Sequence, residues 1–534
     1  MDIAQEVSKR RTFAIVSHPD AGKTTLTEKF LLYGGAVNLA GSVTARKKER
    51  ATVSDWLEIE KKRGISVSST VLYFDYNDFK INLLDTPGHN DFSEDTYRVL
   101  TAVDSVIMVI DGGKGIENQT KKLFEVCRKR HIPVITFVNK MDRPALDTLT
   151  LLDEIENALQ IKTYPVNLPL GSGIDFKGVW DRRNKLAYLY ERTVKGAYRA
   201  PVSTIGLDDP VLTESLSESV YSAFCEDLEM LDQAGTIFNM EEVLNGTTTP
   251  VFFGSAANNF GIQILLDGYL EFSMPPQPRM SADKRIAPED ENFSGFIFKI
   301  QANMDPKHRD RMAFIRVVSG KFTKDMHVVH TRTGKKLRLS NTSNVFGRDR
   351  ASVDEAYAGD VIGVVGGEHF SIGDTLSESP DVAFSEIPGF PPECTAYINN
   401  LKTSNHKRFE KGLNQLVQEG LVHIFELPNA VRKVPLLAAV GPLQFDLVQY
   451  RLETEYSVLS QVEKAPWTIA KWFAGDDVSL KDIYLPNGAE LAIDKNGRNL
   501  ALFPDEWHLR FFCDKNRDVK LVDPSDDAFF DTAG

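Results

Sequence analysis

At 534 residues the chain is longer than one hydrophobic core serves, so three or four domains are expected. Its 42% hydrophobic and 26% charged residues are the balance of a soluble globular protein. The net charge of −13 excludes general coating of nucleic acid or anionic membrane, while leaving room for a local basic contact. Cys127, Cys225, Cys394 and Cys513 are scattered, form no CxxC pair and suit a reducing cytoplasm. The N-terminus lacks the basic-then-apolar order of a signal peptide. No apolar run reaches the ~18–20 residues of a membrane span. A cytoplasmic monomer with no membrane partner is the expectation.

Thr12 to Val16 is a short apolar run of the kind that forms a buried parallel strand. Ser17-His18-Pro19-Asp20-Ala21-Gly22-Lys23-Thr24-Thr25 follows, then a helical pattern through Leu26, Phe30 and Tyr33, stopped by Gly34-Gly35. Strand, small-residue loop and helix is the setting of a phosphate-binding loop, whose backbone N–H groups and helix dipole face an anion. Lys23 would reach the β- and γ-phosphates, and the Thr24 hydroxyl would hold Mg²⁺. Ser17 stands where GxxxxGK[ST] has its first glycine. Alone, the motif leaves ATP and GTP open.

Residues 36–70 are polar and charged, a solvated segment or a switch that orders around the γ-phosphate. Strands are predicted at 69–76 and 80–85, hairpinned through Asn77-Asp78. The pattern then alternates: helix 92–103, strand 105–111, helix 117–129, strand 133–139, which is a doubly wound α/β domain. An insertion interrupts it from about 165 to 250, with strands at 176–180 and 186–190 and a helical part at 211–234. Strand 250–253 and helix 262–272 close the domain, and Pro275-Pro276-Gln277-Pro278 is a linker.

Residues 292–385 read as all-β, with runs at 296–300, 313–318 and 361–365 between turn residues; a barrel is the closed form. Lys299 to Arg350 is locally basic, including Lys307 to Arg311 and Arg332 to Arg338. Solvated barrel edges and a contact to RNA phosphates both account for this. From Pro391 an α+β pattern follows. Phe409, Leu413, Leu416 and Val417 make one helical stripe ended by Gly420; Phe445, Val448 and Leu452 make a second after Pro442. Strands are predicted at 436–440 and 456–459. The fold class is a multidomain α/β protein: a P-loop domain with an inserted subdomain (1–278), a β-barrel (279–390) and a C-terminal α+β domain (391–534).

Four further signals stand in order behind the phosphate loop: Arg63-Gly64-Ile65-Ser66, Asp85-Thr86-Pro87-Gly88-His89, Asn139-Lys140-Met141-Asp142 and Gly254-Ser255-Ala256. The last three end strands, where ligands bind in an open α/β sheet. Guanine offers two adjacent donors, so a bidentate carboxylate at Asp142 separates it from adenine. Asn139 can orient the loop and meet the base, and the Lys140 stem can pack over the ring. The N–H groups of Ser255 and Ala256 are candidates for the guanine carbonyl. Asp85 would hold Mg²⁺ through its water shell, Gly88 N–H would meet the γ-phosphate, and Ser66 would complete the metal shell. His89, beside the γ-phosphate, is the catalytic candidate, because phosphoryl transfer to water needs a positioned nucleophile. GTP and GDP, with Mg²⁺, are the expected ligands.

With these motifs placed, the chain resembles the translational GTPases, and within them the bacterial peptide chain release factor 3 family. The first level rests on the AGKTT ending, RGIS, DTPGH and NKMD. The second rests on Ser17-His18-Pro19-Asp20, the run from Gly295 to Arg311, Arg316-Val317-Val318-Ser319-Gly320 and Gly441-Pro442-Leu443-Gln444-Phe445-Asp446. The resemblance implies GTP-dependent removal of the codon-reading (class I) release factor from the ribosome, with hydrolysis triggered by the large subunit. It implies nucleotide contacts at 17–24, 85–89 and 139–142, with His89 catalytic. It places Pro19 and Ile65 as an apolar gate beside the histidine, Pro19 departing from the usual aliphatic residue, and Ser66 where elongation factors have threonine. The alternatives are a translocase resembling elongation factor G, which is expected to need further C-terminal domains, and a nucleotide-gated binding protein without significant hydrolysis.

Overall fold

The apolar run near the N-terminus is the middle of strand Arg10–Ser17, buried along its whole length. A computed structural model of the chain describes residues 2–36, 60, 66–191, 199–235, 237–282, 284–302, 311–346, 349–366, 369–385, 387, 389–428, 430, 434–474 and 483–524. Most of the expected switch segment, including Ile65 of the expected gate, lies outside the described residues, as do Lys307 to Asp310.

Strand Arg10–Ser17 pairs in parallel with Phe79–Asp85 on one side and Ser105–Asp111 on the other. The sheet runs Thr70–Tyr76, Phe79–Asp85, Arg10–Ser17, Ser105–Asp111, Val134–Asn139, Thr248–Phe253, Lys162–Pro165. Only its first strand is antiparallel, returning through Asn77 and Asp78, both at positive φ as a tight hairpin turn demands. Helices Lys23–Tyr33 and Ile262–Phe272 cover one face; Ser93–Thr101, Asn118–Lys129 and Thr148–Leu159 cover the other. Strand Lys162–Pro165 has no counterpart in the sequence reading, because four residues ending in proline give too short a pattern.

The insertion is a four-stranded antiparallel sheet, Val202–Ile205, Leu186–Tyr190, Gly178–Asp181, Asn167–Leu170, under helix Glu218–Gln233. Its expected helical stretch is split: Pro210–Ser215 ends before Ser217, whose hydroxyl caps the next helix.

The barrel unit is an eight-stranded antiparallel sheet led by the long strands Ser294–Ala302 and Arg311–Ser319, buried on both faces. A bulge between Ile297 and Lys299 explains how. Ile297 and Ile300 point into the barrel core, while Phe298 packs with the nucleotide-domain core and Lys299 touches Ser68 and Ser69. Two consecutive residues thus face the first unit.

This corrects the basic stretch. Lys299 and Arg316 are neither solvated edges nor RNA contacts. They are buried between units, Arg316 Nη2 lying 2.6 Å from Asp104 Oδ2. Nearby, Arg10 Nε lies 2.7 Å from Asp360 Oδ2, and Thr12 Oγ1 donates to Gly359 O at 2.5 Å. Arg332 and Arg338 remain more than half exposed.

The C-terminal unit is an eight-stranded antiparallel sheet with helices His406–Gln418 and Leu443–Tyr456 packed together through both predicted stripes. The strand expected at 456–459 does not form. Tyr456 adds a fourth member to the stripe Phe445, Val448, Leu452 and ends the helix. Ser457 caps it in the left-handed region, and the strand begins at Ser460. No helix among the described residues is long and apolar enough to cross a membrane.

Candidate nucleotide site and its switch contacts

Every parallel strand of the first sheet except its edge members delivers a loop to one end. Ser17, His18, Pro19, Asp20, Gly22, Lys23, Thr24, Thr25, Ser66, Gly88 and His89 line a cleft of about 240 Å³. Gly22 sits at φ 103°, ahead of helix Lys23–Tyr33, and a Cβ there would come within 2.3 Å of Asn139 Nδ2. Only glycine fits, and the backbone therefore approaches the cleft unshielded. Lys23 Nζ lies 3.2 Å from Asp85 Oδ1, with both side chains buried. His18 Nε2 lies 3.1 Å from Glu117 Oε1, a contact the sequence does not announce.

At the base end the motifs interlock. Asn139 Nδ2 donates to Ala21 O at 2.9 Å, while its Oδ1 accepts from Ala256 N–H at 2.9 Å. One amide thus ties the phosphate loop, the NKMD loop and the 254–256 loop together. Ser255 Oγ donates to Asp142 Oδ1 at 2.6 Å, which aims a half-buried carboxylate. Lys140, at φ 68°, pairs with Asp111 Oδ2 at 2.7 Å.

Several of the expected contact residues already have partners within the protein. Ser255 N–H goes to Phe260 O at 2.9 Å, and Ala256 N–H to Asn139, so a guanine carbonyl would have to share the Ala256 donor. Met141 is buried in the core. Thr86 Oγ1 donates to Ile15 O at 2.7 Å, and buried Pro87 accepts from Thr96. The Met141 and Thr86 side chains and the Pro87 carbonyl thus brace the loops.

The Mg²⁺ candidates are oxygen donors, as a hard cation requires. Thr24 and Ser66 line the cleft, while Asp85 lies behind it beside Lys23. Among the described residues no group of three His, Cys, Asp or Glu side chains could hold a metal ion. Two hydroxyls and one carboxylate suit an ion that takes its remaining ligands from phosphate and water.

The turn after Gly88 and the helix that follows it touch both other units. His89 Nδ1 lies 3.2 Å from Asp91 Oδ1, and Asp91 Oδ2 accepts from Leu443 N–H of the C-terminal unit at 2.8 Å. On the next turn Glu94 pairs with Arg98 and with His423 Nε2 at 3.2 Å. Burial pushes the Glu94 carboxyl up, but Arg98 and His423 outweigh it and hold the pKa at about 2. Arg98 Nη1 donates to Gly420 O at 3.1 Å, and Val67, Phe92 and Leu447 close an apolar contact beside it. The inter-unit roles of Asp91, Glu94 and Asp95 escape sequence reasoning because Leu443, His423 and Lys299 lie more than 200 residues away.

The comparisons with known proteins agree with this geometry. Residues 8–275 match the family "Elongation factor Tu GTP binding domain", 292–379 match "Elongation factor G domain 2", and 384–513 match "Class II release factor RF3, C-terminal domain". Peptide chain release factor 3 of Gloeobacter violaceus is 52% identical over 518 residues, covering 96% of this chain and 97% of that protein. The chain belongs to the peptide chain release factor 3 family. The same factor from Trichodesmium erythraeum is 49% identical, covering 97% of this chain and 96% of that one. A crystal structure of a Thermus thermophilus protein shares the fold, with a TM-score of 0.68 at 23% identity, covering 89% of this chain and 71% of that one. A member of this family is a translation-termination GTPase.

Proposed function

We propose that this chain is a ribosome-stimulated GTPase that promotes GTP-dependent dissociation of the codon-reading (class I) release factor after peptide release. It acts as a cytoplasmic monomer against the GTPase-activating region of the large subunit. The reading is carried by one observation: a C-terminal unit of release-factor type grips the turn that follows the phosphate cleft, through Leu443 and Asp91. Nucleotide state and the orientation of that unit are therefore mechanically joined.

In this reading the loop 17–25 and Gly88 bind the phosphates, with Lys23 neutralising their charge. Asp142 reads guanine, and Asn139 braces the loops around it. Thr24, Ser66 and Asp85 would hold Mg²⁺, which when bound neutralises charge on the phosphates. His89 orients the attacking water. Exposed Arg332, Lys335, Lys336 and Arg338 are described candidates for ribosomal RNA phosphates. The units 1–278, 279–390 and 391–534 are the working domains.

The test is a termination assay that follows departure of the codon-reading factor with GTP, GDP and a non-hydrolysable analogue. Departure accelerated by GTP over GDP is expected. Equal rates with all three nucleotides would remove the role. The elongation factor G alternative has less support, since residues 384–513 match the release-factor unit.

A further inference from the structure

His89 Nδ1 has two suitors on one residue. The Asp91 backbone N–H lies 3.3 Å away and needs a lone pair there; Asp91 Oδ1 lies 3.2 Å away and needs a proton there. A neutral imidazole satisfies one at a time. With the proton on Nδ1, Nε2 presents a lone pair that can accept from a water. With the proton on Nε2, the ring is a donor and the water loses its acceptor.

The carboxylate that selects between them is held from another unit. Asp91 Oδ2 accepts from Leu443 N–H at 2.8 Å, at the first residue of the 14-residue helix Leu443–Tyr456. A carboxylate is favoured at that positive helix end. Gly441 lets the backbone close around it, since a Cβ there would lie 2.1 Å from Asp91 Cγ. Asp91 is 8% exposed, so little of this hold comes from solvent.

Resting on the reading of His89 as catalytic, we propose that Asp91 is its positioning residue and that the C-terminal unit sets the His89 tautomer through its grip on the Asp91 carboxylate. With the unit docked, Oδ1 stays against Nδ1 and Nε2 is the acceptor. If the unit moves away, the carboxylate loses Leu443 and the helix pole. The Asp91 N–H then remains as the partner of Nδ1, and the ring turns donor. Hydrolysis is thereby gated by the arrangement of domains.

The experiment is single-turnover GTP hydrolysis on ribosomes by the full chain, with fluorescent-nucleotide affinity measured alongside. The variants are His89→Ala, Asp91→Asn and Gly441→Ala. Asp91→Asn can keep an acceptor for Leu443 but no longer favours a proton on Nδ1. Gly441→Ala disturbs the grip without touching the cleft. Both should slow hydrolysis by roughly 10- to 100-fold, with nucleotide affinity within about twofold, and neither should slow it further in a His89→Ala background. Nitrogen spectra of ¹⁵N-histidine-labelled protein, with the His89 signal assigned by its loss in His89→Ala, should show the proton on Nδ1 in the wild type and on Nε2 in Asp91→Asn. If His89→Ala is slow but Asp91→Asn keeps the wild-type tautomer or rate, the relay is wrong and the catalytic reading stands. If His89→Ala hydrolyses at the wild-type rate, both fall. A variant that loses nucleotide affinity still reports through its tautomer.

Discussion

Lys299 Nζ lies 3.6 Å from Asp95 Oδ2, an ion pair that joins the barrel to the helix leaving the DTPGH turn. The same ammonium donates to Ser68 Oγ and Ser69 Oγ at 2.7 Å each, so one barrel side chain holds both the segment after Ser66 and the helix that follows His89. Burial pushes the Lys299 pKa down against the pull of Asp95. The charge is thus costly in place, yet its loss would take an ion partner from Asp95, which also accepts from Ser69 N–H at 2.6 Å. Removing one partner of a fully buried pair costs about 3–5 kcal/mol, and the 22% exposure of Asp95 makes the cost here smaller. Lys299→Met should lower the thermal unfolding midpoint by several degrees and loosen the two loops to proteolysis. An unchanged midpoint would mean that the pair does not join the units.

Base selection gives a second prediction. Ser255 holds one oxygen of Asp142, so the carboxylate is aimed before nucleotide arrives. Asp142→Asn replaces an acceptor pair by one acceptor and one donor. Affinity for GTP should fall by roughly 10²-fold or more while xanthosine triphosphate gains, as read by competition against a fluorescent nucleotide. Retained GTP preference would remove Asp142 from base reading.

Much of the candidate cleft was legible because binding a phosphate or a base demands a fixed local geometry. A phosphate loop needs Gly22 where nothing larger fits, and a guanine reader needs a carboxylate at the end of a strand. Sequence order alone places these. The inter-unit contacts were not legible. Lys299, Arg316 and Arg10 look like surface cations in sequence, and only the bulge at Phe298 and the turn at Gly359 turn them inward. Likewise Tyr456 fits a strand by its aromatic character and a helix by its spacing from Leu452. Packing against the neighbouring helix decides for the helix.

The cysteines supply a third prediction. Burial pushes the Cys127 and Cys394 thiols up to about 12, whereas Cys513 is exposed on helix Glu506–Lys515. Since the thiolate is the nucleophile, a maleimide at pH 7.5 should label Cys513 in the native protein, and Cys127 and Cys394 only after denaturation. Peptide mapping reads the sites directly. Native labelling of Cys127 would contradict its burial on the inner face of helix Asn118–Lys129.

Glu94 makes the docking of the C-terminal unit pH-dependent. Burial raises its pKa, but Arg98 and His423 bring it from the ordinary 4.5 to about 2. A carboxyl depressed in the folded state contributes stability that is fully present above its unfolded pKa and is lost as the pH falls through the folded one. The window is therefore pH 4.5 down to about 2, and the contribution is about 3 kcal/mol at about 1.4 kcal/mol per unit. His423 belongs to the C-terminal unit and Glu94 to the turn after the cleft, so the loss should appear first as undocking. Acid titration followed by tryptophan fluorescence should show a transition in that window, because Trp467 and Trp472 lie buried in the C-terminal unit. Glu94→Gln has no carboxyl to protonate there, so it should begin less stable at neutral pH and lose less stability on acidification. A variant with the wild-type acid profile would place the pH-sensitive contact elsewhere.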